Sequence, residues 1–161
     1  MRALTVRQPW AGAIAHLAKR VENRTWKLPA KHHGARILLH AAAQLDKNAT
    51  VYGPQLGVYG AIVGAITLTG CHWSDDGTCC GPWGFASSYH WTLDQVEALD
   101  EPVPCKGALG FWTPPTDILL AVQHQLQETA PRSSPPWSDP NADILGDIRA
   151  HIDEVSGRTQ P

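Results

Sequence analysis

Apolar and polar positions change period several times along this chain. Ala3 to Val6 forms a short apolar run of strand type, ended by Gln8-Pro9. Trp10, Ala13, Ile14, Leu17 and Ala18 then recur at helical spacing, which predicts one amphipathic helix over Pro9–Ala18. Proline suits its first turn, and Lys19 and Arg20 close it where cations favour the helix C-terminal dipole. Val21 to Trp26 reads as extended. Strand alternation puts Glu22, Arg24 and Trp26 on one face and Val21, Asn23 and Thr25 on the other.

Lys27–Gly34 reads as a turn or loop whose histidines, His32 and His33, are ordinary loop residues. Ala35–Ala41 (ARILLHA) is a buried strand carrying His40, and Ala42–Asn48 reads as a short helix. Tyr59–Thr69 (YGAIVGAITLT) is the strongest strand pattern, and its glycines suggest the bend of a small barrel. Gly70–Ser88 has no clear period and reads as a long connection, a kind of segment that often carries function. Tyr89–Leu93 and Ala108–Trp112 read as further strands, separated by the turn-rich DEPVPCKG. Thr113 and two prolines introduce a helix marked by Ile118, Leu119, Val122 and Leu126. Residues 129–141 are a Pro/Ser-rich linker. In 142–161, Ile144, Ile148, Ile152 and Val155 form one helical stripe, a face for docking on the barrel or on a protein partner.

Composition adds three constraints. Apolar residues make up 43% and charged residues 17%, the balance of a folded domain rather than a disordered chain. No apolar run is long enough to cross a bilayer, and the N-terminus lacks a secretory core, so the expected setting is the cytoplasm, away from membranes. The net charge of −2 hides an asymmetry. Residues 1–36 carry eight basic side chains against one acid, Glu22, and the remainder carries five against fourteen. One electropositive face on an acidic body fits a small or locally gripped anion better than broad contact with a nucleic-acid backbone.

The stretch QPWAGAIAHLAKRVENRTW, Gln8 to Trp26, resembles the signature of an ASCH domain, a small β-barrel of the PUA-like superfamily. Its specific parts are QPWA and K-x-x-E-x-R-x-W, and the later HWTL and PVPCKGALGFW segments resemble the second half of such domains. The resemblance spans roughly residues 2–113. It implies an α+β fold: a PUA-like β-barrel with flanking helices over residues 1–128, the first C-terminal helix included, followed by the linker and a C-terminal helical extension. It also implies binding of RNA, a short single-stranded segment or a nucleotide in a cleft at the helix–strand junction. The family motif falls on Lys19, Glu22 and Arg24. Relatives often have glycine before the lysine, where this chain has Ala18.

The residue types fit that chemistry. A nucleotide pocket needs cations, a stacking surface and polar groups for base edges. Arg24 offers a planar donor fork and Lys19 a mobile point charge, Glu22 an acceptor for an exocyclic amine, and Trp10 or Trp26 a stacking face. An ion pair of Glu22 with Arg24 and plain packing of Trp26 is the bland alternative. His40 is either near the cleft or a hydrogen-bonded core residue. Some relatives are small hydrolases of acetylated cytidine, or nucleases. The amidohydrolases resemble a Lys–Thr–Glu arrangement with threonine three residues after lysine, and this chain has Glu22 there. A Lys19–Glu22 pair remains for general acid–base chemistry in a hydrolase of a modified nucleoside or of RNA. No cofactor is implied. Trp91 and Trp112 read as core, while Trp73 and Trp83 either flank the cleft or pack their loop down.

Four cysteines complete the inventory. Cys79 and Cys80 are adjacent, poor geometry for a disulfide framework, so free thiols or a metal site are the readings. No metal is the primary expectation. The alternative is zinc held by four ligands drawn from Cys71, His72, Cys79, Cys80 and His90, although the spacing lacks paired C-x-x-C knuckles.

Overall fold

A computed structural model describes residues 1–49, 53 and 56–128 of the 161-residue chain. The linker 129–141 and the helix expected over 142–161 lie outside the described residues, and so does the partner reading attached to that helix.

The described residues form six strands and two α-helices: β1 (Ala3–Gln8), α1 (Trp10–His16), β2 (Val21–Arg24), β3 (Arg36–Leu45), β4 (Ala61–Ser74), β5 (Ser88–Pro104), β6 (Phe111–Trp112) and α2 (Thr116–Glu128). The strands join in one curled sheet of order β2-β5-β4-β3-β1-β6. β1 runs parallel to β3, and the other pairs are antiparallel. Curvature comes from β4 and β5, whose register slips at Ile62/Gly64, Ala65/Thr67 and Leu68/Gly70. Such irregularities bend and twist a ladder. Glycine is required at one of them, because a Cβ on Gly64 would lie 2.5 Å from the Glu97 carbonyl oxygen.

The result is a half-barrel with its edges at β2 and β6. Side chains bridge those edges: the Arg24 guanidinium donates to the Thr5 carbonyl on β1 (2.9 Å), and Trp91, Trp26 and Phe111 pack between them. The main core combines Leu4, Val6, Ile14, Leu39, Ile66, Leu68 and Trp91, all buried. A second cluster forms where α2 lays Val122, with Ile118, Leu119 and Leu126 beside it, against Leu38, Ile62, Leu99 and Val103. Among the described residues, no helix is long and apolar enough to cross a membrane.

Several local expectations are corrected. α1 ends at His16 with Leu17 as its cap, and Arg20 closes it by donating to the Ile14 and Lys19 carbonyls. Ala42–Asn48 is not a helix. β3 continues to Leu45, which pairs with Gln8, so ladder hydrogen bonds override the helix propensity of Ala42 and Ala43. β4 runs on to Ser74 and β5 from Ser88 to Pro104, with Gly70 to Ser74 paired to Thr92 to Ser88, which shortens the expected long connection to residues 75–87, a loop with a 3-10 segment at Thr78–Trp83. β6 is two residues rather than five. His32 is no mere loop residue: a 3-10 turn, Ala30–His32, buries its ring against Phe111 at 3.8 Å.

Candidate functional site

The α1–β2 junction is built by an unusual turn. Ala18 has φ +55°, in the left-handed region, and the Lys19 N–H returns to the Ala13 carbonyl at 3.2 Å. This is the position where glycine would be the ordinary residue. The turn carries Lys19 into the interior and starts β2 directly behind it. Gln8 fixes the other end of α1, accepting from the Gly12 N–H at 2.9 Å while its amide donates to the Val58 carbonyl.

Beside this junction lies a cleft of about 750 Å³, bordered by β1, β2, the outer end of β3 and the loop 105–110. That volume is ample for a nucleotide-sized ligand. Of the residues expected at a site, Trp10, Glu22, Arg24, Trp26 and His40 all border it. Glu22 Oε1 and Arg24 Nε lie 2.9 Å apart, with Glu22 nearly buried and Arg24 partly open. The Arg24 guanidinium also sits 5.7 Å over the Trp91 ring. Trp10 is held by its indole N–H, which donates to Asp46 at 2.9 Å, and by an edge contact with Phe85 at 5.3 Å. The indole hydrogen bond is the main reason the Asp46 carboxyl is held below the usual carboxylate range, with the Asn48 N–H and Arg7 adding to it. Trp26 keeps 37% of its surface exposed while its ring meets Trp91 and Phe111 edge-on.

Lys19 does not border the cleft. It has no exposed surface; its ammonium donates to the Val21 carbonyl and lies 5.8 Å from the Trp10 ring centre, behind that ring. Burial pulls its pKa down, while Glu22 and Cys80 push it back up. Thr25 departs from the alternation argument in the other direction. β2 ends at Arg24, and Thr25, in the bend beyond it, borders the same cleft as Glu22 and Arg24.

His40 is a buried residue at the cleft floor. Its Nε2 donates to the Cys105 carbonyl at 3.1 Å, in the tautomer that a carbonyl partner selects, and its Nδ1 has no partner among the described residues. Desolvation lowers its pKa. Gly107 lies so close that a Cβ there would stand 2.4 Å from His40 Cε1 and 2.8 Å from Thr5 Oγ1.

Arg7, Asp46, Phe85, Lys106 and Gly107 also border the cleft, and sequence reasoning had singled out none of them. Thr5 and Arg7 were legible in principle as the alternate polar positions of β1. Phe85 takes the place expected of Trp73 or Trp83. Trp73 packs on Tyr89 at 5.0 Å at the far end of the β4–β5 hairpin, and Trp83 offers its carbonyl to the Asn23 amide at 2.9 Å. Of the zinc candidates, Cys71 points elsewhere and accepts the Leu28 N–H at 3.4 Å. His72, Cys79, Cys80 and His90 converge, with all ligand atoms within 4.8 Å of one another.

Against this geometry, the family model described as "ASCH domain" matches residues 4–105, well over half of the chain. The chain belongs to the ASCH family. Solved structures agree on the fold. The ASCH protein of Zymomonas mobilis superposes with a TM-score of 0.51 at 17% identity, covering 75% of this chain and 94% of that one. Two single-substitution variants of the same Zymomonas mobilis protein give TM-scores of 0.51 and 0.50 at 14% and 15% identity, each covering 76% of this chain and 96% and 94% of theirs. At such identities these likenesses speak for the fold alone. The comparison with curated proteins gives no match. ASCH domains are generally nucleic-acid-binding members of the PUA-like superfamily.

Proposed function

We propose that this ASCH domain binds RNA, through one or a few nucleotides of a single-stranded segment held in the cleft. The observation that carries the proposal is the Arg24–Glu22 pair, 2.9 Å apart, on the wall of a cleft that Trp10 and Trp26 also border. A planar cation, an acceptor and two aromatic surfaces are the groups that phosphate, base edge and base face respectively require. Arg24 is oriented by Glu22 and by the Thr5 carbonyl, so its remaining donors are aimed before the ligand arrives. Lys19 acts from beneath: its ammonium backs the Trp10 ring and balances the charge of Glu22. Arg7 and Lys106, both exposed on the rim, supply further attraction for an anion.

The test is binding of single-stranded RNA and DNA by the purified protein at two salt concentrations, with the ligand inspected afterwards for cleavage. Arg7, Arg24 and Lys106 give at most three phosphate contacts, so the salt slope is expected no steeper than about −2. Arg24→Ala and Trp10→Ala are each expected to weaken binding about tenfold or more, in line with ~1–3 kcal/mol for one stacked base. Unchanged binding in folded Arg24→Ala and Trp10→Ala proteins refutes the site.

One observation favours a hydrolase instead. Glu22 borders the cleft, and its charge acts on the buried Lys19 behind it, which places Glu22 for general acid–base chemistry on a modified nucleoside or RNA. Product formed by wild type and abolished in Glu22→Gln decides for that reading, and intact ligand decides against it.

A further inference from the structure

At the far end of the β4–β5 hairpin, His72 and His90 are directly paired across the ladder, so their rings stand on one face, 5.3 Å between centres. The turn that follows β4 folds back over that face and brings Cys79 and Cys80 to it. His72 Nε2 lies 3.2 Å from Cys79 Sγ and 3.6 Å from Cys80 Sγ, and Cys79 Sγ lies 3.4 Å from His90 Nδ1. In a tetrahedral zinc site, bonds of about 2.3 Å to sulfur and about 2.05 Å to nitrogen set sulfur and nitrogen about 3.6 Å apart. These three sulfur–nitrogen separations fall at or just inside that value, and all four ligand atoms lie within 4.8 Å of one another. We propose that His72, Cys79, Cys80 and His90 form a structural zinc site that staples the turn to the hairpin.

Three further features fit a metal better than four idle side chains. First, the turn Thr78–Trp83 buries none of its residues, so it has no apolar anchor of its own. A tetrahedral staple supplies the missing constraint. Second, the outer partners are in place. His90 Nε2 donates to the Phe85 carbonyl at 2.9 Å, which leaves Nδ1 free to ligate, and Ser74 Oγ lies 3.3 Å from Cys79 Sγ. Third, the backbone is tailored to the close approach: a Cβ on Gly84 would stand 2.8 Å from His90 Cε1 and 2.2 Å from the Gly77 carbonyl oxygen, and Gly77 itself has φ +77°. A disulfide between Cys79 and Cys80 is the competing fate. Neighbouring Cα atoms are only about 3.8 Å apart, short of the range of roughly 4.4–6.8 Å that disulfides prefer, so that bond is disfavoured. With four protein ligands the ion has no open position, so its role is structural rather than catalytic.

The staple reaches the cleft. Phe85 packs against Trp10, and the Asn23 side chain holds the same segment through the Trp83 carbonyl and the Phe85 N–H. Zinc at the hairpin end thus fixes one wall of the ligand site without touching it.

The experiment measures metal content of the full chain after exposure to zinc and gel filtration, and then absorption of the cobalt-substituted protein. One zinc per chain is expected, with the intense visible bands of tetrahedral cobalt and a sulfur-to-cobalt charge-transfer band. Cys80→Ser and His72→Asn, at a half-buried and an exposed member of the cluster, are expected to lower zinc affinity more than about 100-fold, the upper end of what losing an outer partner alone does. Cys71→Ser is expected to keep the metal. Wild type that emerges zinc-free, an octahedral cobalt spectrum, or equal affinity in Cys80→Ser and His72→Asn overturns the proposal. Because wild type alone can fail this test, misfolding of a variant does not protect the idea. None of the readouts depends on nucleic acid, so the zinc site and the RNA reading stand or fall separately.

Discussion

Ala18 offers a perturbation whose sign follows from one dihedral angle. Its φ of +55° is a left-handed conformation that costs an L-residue about 1–2 kcal/mol because Cβ crowds the following carbonyl. Ala18 is exposed, so no packing is lost or gained on substitution. Ala18→Gly removes the strain but adds conformational freedom to the unfolded chain, which offsets roughly 0.5–1 kcal/mol of the gain. The net expectation is stabilisation of about 0.5–1 kcal/mol. Over the residues up to the end of α2 at Glu128, an unfolding entropy near 2.1 cal/mol/K per residue converts 1 kcal/mol to about 4 °C in Tm. Ala18→Gly should therefore melt about 2–4 °C higher. Ala18→Val places a β-branched side chain where the region is least tolerant, and should melt at least about 4 °C lower. Differential scanning calorimetry of the three proteins reads both shifts. If Ala18→Gly melts at or below wild type, or Ala18→Val melts with it, the left-handed turn before Lys19 is not there and the burial of Lys19 loses its cause.

Gly107→Ala drives a methyl group to within contact of His40 and Thr5, and an overpacked site of this kind is expected to cost about 1–3 kcal/mol in urea denaturation; a neutral result would mean that the loop 105–110 does not seal the cleft floor. His40 makes the fold acid-sensitive. Its folded pKa lies below the ordinary value near 6.5, so as pH falls through that value the unfolded chain takes up a proton the folded chain declines. Stability is then complete above about pH 6.5 and falls toward the lower folded pKa, by at most about 1.4 kcal/mol per pH unit for each such group. Half-buried His16, its pKa also lowered by desolvation, adds in the same direction. Denaturation at pH 7.5 and 5.5 measures it, and equal or greater stability at the lower pH contradicts the assignment. In the cleft, Arg24→Lys keeps the charge but loses the planar fork, so it should bind RNA more weakly than wild type at the same salt concentration; full binding would reduce Arg24 to a point charge.

The sequence by itself determined most of the frame. The helical spacing of Trp10, Ala13, Ile14 and Leu17 and the apolar runs of β1, β3 and β4 are local signals that need no partner to be legible. The motif from Gln8 to Trp26 also carried the family, and with it Trp10, Glu22, Arg24 and Trp26, all of which border the cleft. Tertiary structure decided what depends on pairing across distance. Ala42–Leu45 became strand because β1 was there to bond it, and Gly70–Ser74 because β5 was. It also decided depth. Nothing in the order Ala-Lys-Arg says that the lysine is fully buried while the arginine beside it is exposed; the left-handed turn at Ala18 does that. The same holds for the hairpin end, where His72 replaces Cys71 among the converging ligands. Adjacent strand residues face opposite sides, and only the register of β4 with β5 fixes which of the two meets His90.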